Sequence, residues 1–142
     1  MTKINESWYT SNNQEWATPQ KFFDELNAEF HFTLDPCCTH ENAKCAKHYT
    51  IEDDGLSKSW GGKEIVFCNP PYNQLDKWAK KCYEEYLQGT TVVMLVPART
   101  DTRWFHDNIY HKAELRFIKG RLRFNDGKHP APFPSMVVIF RN

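Results

Sequence analysis

The chain has 142 residues, 18 Lys and Arg balanced by 18 Asp and Glu, and a 40% hydrophobic content that includes five Trp. That describes one folded domain with a real core and excludes a disordered or fibrous chain. No apolar run reaches the length of a membrane span and the first seven residues carry no apolar signal region, so the expected compartment is the cytosol.

Residues 1–15 are polar and read as a flexible N-terminal segment, with residues 16–142 as a single domain. A helix is expected from Pro19 to Phe30, with Thr18 as N-cap, Pro19 at the first helical position, and Phe22, Phe23, Leu26 and Phe30 on one face. Residues 31–34 read as a strand ending at Asp35-Pro36-Cys37-Cys38, residues 40–48 as a short helix, and residues 48–51 as a short strand before Glu52-Asp53-Asp54-Gly55. Glu64 to Cys68 is an apolar run that reads as a buried strand. After it, Leu75, Trp78, Ala79, Cys82, Tyr83, Tyr86 and Leu87 recur at helical spacing, with Asn73 and Asp76 as a capping box and Gly89 as the stop. Thr91 to Val96 predicts a central parallel strand, and Asp101 a cap for a helix to about Tyr110. Leu115–Ile118 and Met136–Phe140 read as strands joined by a loop or hairpin, Arg121 to Ser135. The alternation predicts an α/β fold, a mostly parallel sheet with helices on both faces. The carboxyl ends of its strands, where ligands of such sheets bind, would carry Asp35, Asp54, Asn69 and Arg99.

The most informative stretch is Asn69-Pro70-Pro71-Tyr72, a stiff turn between strand and helix. An exocyclic amine such as N6 of adenine is a poor nucleophile because its lone pair is shared with the ring. The Asn69 side-chain carbonyl and the Pro70 C=O can accept its two N–H bonds and stabilise the charge that develops on nitrogen. Tyr72 offers a stacking face worth roughly 1–3 kcal/mol, and Pro71 restrains the turn. A base in a duplex reaches such a pocket only by leaving the stack. A plain Asn-Pro turn has the same residues, whereas a WW-domain ligand would need PPxY spacing. Asp35 and Asp54 stand nineteen residues apart, close to the separation at which an acid holds ribose hydroxyls, with Glu52 and Asp53 as competitors. Asp35 as a helix cap and Asp54 in an Asp-Gly turn are the structural alternatives. Trp16-Ala17-Thr18-Pro19-Gln20 can hold a carboxylate or serve as an ordinary cap.

The zero net charge hides a split. Residues 1–89 hold nine Lys and fourteen Asp or Glu, and residues 90–142 hold nine Lys or Arg and four Asp or Glu. One face toward a polyanion suits this pattern. The densest basic stretch is Arg116, Lys119, Arg121, Arg123 and Lys128, with Phe117 and Phe124 interleaved, and a solvated surface over core Phe residues reads the same way. Five cysteines, an odd count without a signal peptide, argue for reduced thiols. Cys37, Cys38, His40, Cys45 and His48 crowd together, but at spacings unlike known zinc frameworks, and no metal is assigned.

Taken together, Trp16-Ala17-Thr18-Pro19-Gln20, Leu34-Asp35-Pro36-Cys37, Glu52 to Leu56, Phe67 to Tyr72, Leu95 to His106 and Phe133 to Met136 resemble the phage-type DNA N6-adenine methyltransferases, Dam-like enzymes. The resemblance implies a compact Rossmann-like methyltransferase fold, S-adenosylmethionine as cofactor and DNA as partner, in a bacterial host cytosol with no membrane or obligatory protein partner. It assigns Asn69, Pro70 and Tyr72 to the target base, with Pro71 beside them. Trp16, Thr18, Pro19, Asp35 and Cys37 would hold the methionine part, with Asn69 nearby, and Asp54 the adenosine. Arg99, Arg103, Arg121, Arg123 and Lys128 would face the nucleic acid. Asp35-Pro36-Cys37-Cys38 stands where many methyltransferases carry a glycine-rich loop, and there is no room for a separate target-recognition domain. The alternatives are an RNA or protein-amide methyltransferase of the same fold, and a nucleic-acid-binding module without catalysis.

Overall fold

The computed structural model describes residues 17–124 and 129–142. Its sheet is built around β2 (Thr91–Pro97), whose residues from Val92 onward are all buried. On one side β2 pairs in parallel with β1 (Ile65–Cys68), Val66 opposite Val92. On the other it pairs antiparallel with β5 (Ser135–Phe140), Met94 opposite Val138. The far edge is β3 (Glu114–Phe117), antiparallel to β5, giving the order β1-β2-β5-β3. Leu34 extends the sheet beyond β1 through a single parallel bridge to Val66.

Strands β1, β2 and β3 therefore point the same way and β5 runs against them. The expectation of a mostly parallel sheet is corrected: one ladder is parallel and two are antiparallel. The cause lies between β3 and β5. That connection is folded as a hairpin, with β4 (His129–Pro130) bridged to Arg123, and Ala131 N–H donating to the Leu122 carbonyl. Without a crossover helix, β5 can only return antiparallel.

Alternation along the strands sends side chains to two cores. Val66, Cys68, Val92, Met94 and Val138 pack with Trp78, Ala79 and Cys82 of α2 (Leu75–Leu87) and Phe105 of α3 (Arg103–Asn108). Phe67, Val93, Leu95, Val137 and Ile139 face Phe23, Leu26 and Phe30 of α1 (Gln20–Phe30). Helices cover both faces, as the alternation predicts. None is long and apolar enough to cross a membrane, among the described residues.

Several local expectations give way to longer-range bonds. Thr18 makes no cap bond to α1, because its hydroxyl is engaged by Asn69. The strand at 31–34 shrinks to the Leu34 bridge, and that at 48–51 to a bridge between Asp35 and His48. Residues 40–48 form turns instead of a helix. There, Thr39 and Asn42 each bond the other's backbone N–H with a side-chain oxygen, and Lys44 N–H goes to the Asp35 carboxylate. Such bonds compete with a helical ladder. A 3₁₀ turn at Tyr72–Gln74 replaces the expected capping box before α2. Thr102, not Asp101, caps α3, its hydroxyl accepting from Phe105 N–H at 3.4 Å. Gly89, at φ 109°, ends α2 in a conformation that suits glycine.

Candidate active site

The parallel bridge between Leu34 and Val66 sets two strand ends side by side. Asp35 follows one and Asn69 the other. At these carboxyl ends opens a cleft of about 830 Å³. Of the residues expected to hold a cofactor, Thr18, Asp35, Cys37, Asp54 and Asn69 line it, and Pro19 does not. Trp16 lies outside the described residues.

Asn69 is half-buried, and its Nδ2 donates to Thr18 Oγ1 at 2.9 Å. Thr18 is only 5% exposed. The segment before α1 thus orients the carboxamide across 51 residues of sequence. Pro71 shares the cleft wall with Asn69, while Pro70 is buried and does not line it. Pro71 (φ −65°) hands the chain to the 3₁₀ turn, where its carbonyl accepts from Gln74 N–H. Tyr72 stands outside the cleft wall, its ring edge-on to Phe133 at 5.1 Å. The Arg99 guanidinium lies 5.9 Å from that same Phe133 ring. Burial raises the Tyr72 phenol above its usual range, partly opposed by Arg99, so the ring serves as a neutral surface.

Asp35 is 4% exposed. Its carboxylate accepts from Lys44 N–H at 3.0 Å and from Cys37 N–H at 3.4 Å. Burial pushes its pKa up to about 6, the two backbone donors and nearby His48 holding it below what burial alone would give. Cys37 Sγ lies 3.6 Å from Cys68 Sγ, which joins the Asp35 segment to the residue before Asn69. Burial raises both thiols, Cys82 lies close enough to raise them further, and all five cysteines are free. Among the described residues no three His, Cys, Asp or Glu side chains gather as for a metal ion.

The acidic run resolves by geometry. Asp53 Oδ2 accepts from Thr50 N–H at 2.8 Å and from its hydroxyl, which turns Asp53 inward on its own turn. Glu52 and Asp54 line the cleft. Asp54 adopts φ 58°, a left-handed conformation that Asp tolerates. Gly55 follows it against Pro36. A Cβ there would sit 2.1 Å from the Pro36 carbonyl oxygen and 3.1 Å from Trp78, so only glycine lets the two walls meet. The Asp-Gly pair reads from sequence as a turn; the close approach that demands glycine does not.

Arg99, Arg103, Arg121 and Arg123 are exposed, and none lines the cleft. Lys128 lies outside the described residues. Arg116 is corrected out of the basic stretch: it forks onto Glu29 of α1 with two bonds of 2.7 Å and reaches Glu114 at 3.3 Å. Arg141 joins this network at Glu114 and Glu29. Of the interleaved aromatics, Phe124 is core and Phe117 is 66% exposed.

The geometry is matched by kinship. A family profile described as DNA N-6-adenine-methyltransferase (Dam) covers residues 7–142. The chain belongs to this family. The Dam-family chain is 32% identical over 108 residues to a protein of Escherichia phage T1 named DNA N-6-adenine-methyltransferase, a match spanning 75% of this chain and 45% of that protein. A Haemophilus phage HP1 protein of the same name is 32% identical over 149 residues, 99% of this chain and 84% of its own length. The Escherichia coli K12 protein named putative methyltransferase YfdM is 41% identical over 64 residues, 41% of this chain and 70% of its own. The chain thus spans less than half of the T1 protein and most of the HP1 protein.

Proposed function

We propose that this chain transfers a methyl group from S-adenosylmethionine to N6 of adenine in DNA, on a compact Rossmann-like methyltransferase fold. The observation that carries the reading is the Thr18–Asn69 bond at the mouth of the cleft. It occupies the amide nitrogen, so the carbonyl is the end of Asn69 turned toward a substrate amine.

The donor set of the cleft fits the cofactor. Asp35, Glu52 and Asp54 suit an ammonium group and ribose hydroxyls, while Ile51, Leu56 and Trp78 suit a flat purine. When bound there, S-adenosylmethionine supplies an electrophilic methyl group. The chain's own part is positioning and electrostatics. Asn69 and the Pro70 carbonyl accept the two N–H bonds of N6, which favours nitrogen as it becomes positive. Tyr72, braced edge-on by Phe133, gives the extruded base a surface to stack on. No strong base is required, since the proton leaves after the nitrogen has become acidic. Arg99, Arg103, Arg121 and Arg123 flank this mouth as the phosphate-facing groups, with Lys128 in the same loop.

The test is transfer of a radiolabelled methyl group to DNA, RNA and protein offered in parallel. DNA is expected to take the label, recovered as N6-methyladenine. Asn69→Ala should retain S-adenosylmethionine binding while transfer falls by about two decades or more, an oxyanion-hole-sized loss of roughly 3 kcal/mol. Label on RNA or protein alone, or undiminished transfer by the variant, would overturn the proposal.

A further inference from the structure

Acids dominate the cleft. Asp35, Glu41, Glu52 and Asp54 all line it, and a ligand with a free carboxylate entering there meets like charge. Two lysines also line it, Lys44 in the turns after Asp35 and Lys77 on α2. Lys44 has the closer tie to the buried carboxylate. Its backbone N–H donates to Asp35 Oδ2 at 3.0 Å, which fixes its Cα beside that group. Its Nζ donates to Gln20 Oε1 at 2.8 Å and lies 5.9 Å from the Phe23 ring, on the α1 side of the cleft. Gln20 is a neutral partner, itself held by donating to Asp24 at 2.8 Å, so this bond positions the ammonium group without cancelling its charge. One short segment therefore offers an anion through Asp35 and a cation through Lys44.

We infer that Lys44 binds the α-carboxylate of the donor's amino-acid part, paired with an Asp35 carboxylate that takes the α-ammonium group. This rests on the S-adenosylmethionine reading above and adds the residue that recognises the carboxylate. It also gives the unusual segment after Asp35 a task. The Thr39–Asn42 turn carries the chain back to Asp35 at Lys44. Instead of approaching the ligand with bare glycine backbone, it delivers a charged side chain. A zwitterion satisfies both charges at once, whereas a ligand with only one of them leaves the other uncompensated.

Titration calorimetry with S-adenosylmethionine and its decarboxylated analogue, which keeps the ammonium group, separates the two charges. The wild-type chain is expected to prefer the intact cofactor by about tenfold to a hundredfold, the usual range for a charge-assisted bond. Lys44→Met should erase that preference by weakening the intact cofactor alone. Lys44→Arg should keep most of it, and Lys77→Met should leave both affinities unchanged. Equal wild-type affinity for the two forms would overturn the inference, as would equal weakening of both by Lys44→Met. Loss of the preference in Lys77→Met would move the subsite to α2 and overturn it too. If the wild type binds neither form, the donor reading itself falls, and this inference with it.

Discussion

Replacing Thr18 by valine exchanges one hydroxyl for a methyl group of nearly the same size. The site is 5% exposed, so no bulk water takes the place of the lost oxygen. Asn69 Nδ2, now 2.9 Å from that oxygen, would face carbon. An amide N–H left facing an apolar group costs about 1–3 kcal/mol. The carboxamide can escape that cost only by turning, and turning takes its carbonyl off the line on which it would meet a substrate amine. Either way, single-turnover methyl transfer at saturating DNA and cofactor should fall by about tenfold to a hundredfold. The same lost bond should lower the melting temperature by a few degrees, at about 2–4 °C per kcal/mol for a domain of this size. Thr18→Ser keeps the oxygen and should stay near the wild-type rate. A valine variant within twofold of wild type would refute the orienting role. So would a serine variant as slow as valine, because the missing methyl group would then be what matters.

Gly55→Ala places a Cβ 2.1 Å from the Pro36 carbonyl oxygen, a backbone atom that cannot swing away. The cleft wall must shift, and a loss of about 2 kcal/mol or more is expected, read as a drop of several degrees in thermal unfolding; an unchanged transition would show that the two walls are not in contact. Asp35, with its pKa pushed up from 3.8 to about 6, holds a proton more tightly in the folded than in the unfolded chain. Its contribution to stability is therefore complete below about pH 4 and is lost as pH rises through 6, a swing of about 3 kcal/mol. Urea unfolding of wild type and Asp35→Asn should show their stability gap changing by that order between pH 4 and pH 7. Parallel pH profiles would argue against it.

Much of the fold was legible because its signals are local. The Leu75, Trp78, Ala79 and Cys82 spacing announces α2, and the unbroken run from Val92 to Val96 announces the central strand. The Asn69 turn, with strand before and helix after, was equally plain. What escaped depends on partners far along the chain. Thr18 has the position and chemistry of an N-cap, yet a side chain 51 residues away takes its hydroxyl. Arg116 belongs to a basic stretch in sequence and to an acidic neighbour in space, because Glu29 lies 87 residues before it. The apparent helix at 40–48 loses to side-chain bonds with the backbone, and one of those bonds exists only because Asp35 is buried beside it. The direction of β5 had no sequence mark, since a buried strand reads alike whichever way it runs.

The place of β5 has a consequence for how the molecule comes into being. It is the last strand to be made, yet it lies between two that are made earlier, β2 and β3. A nascent chain halted before Ser135 has nothing to join those two, and α1 lacks the Val137 and Ile139 half of the bed it rests on. Folding must then wait for contacts that close late and over long separations, a slow class of event. The threonine that steadies Asn69 comes just before α1. Competence for chemistry and completion of the sheet should therefore arrive together, leaving no half-built enzyme free to act.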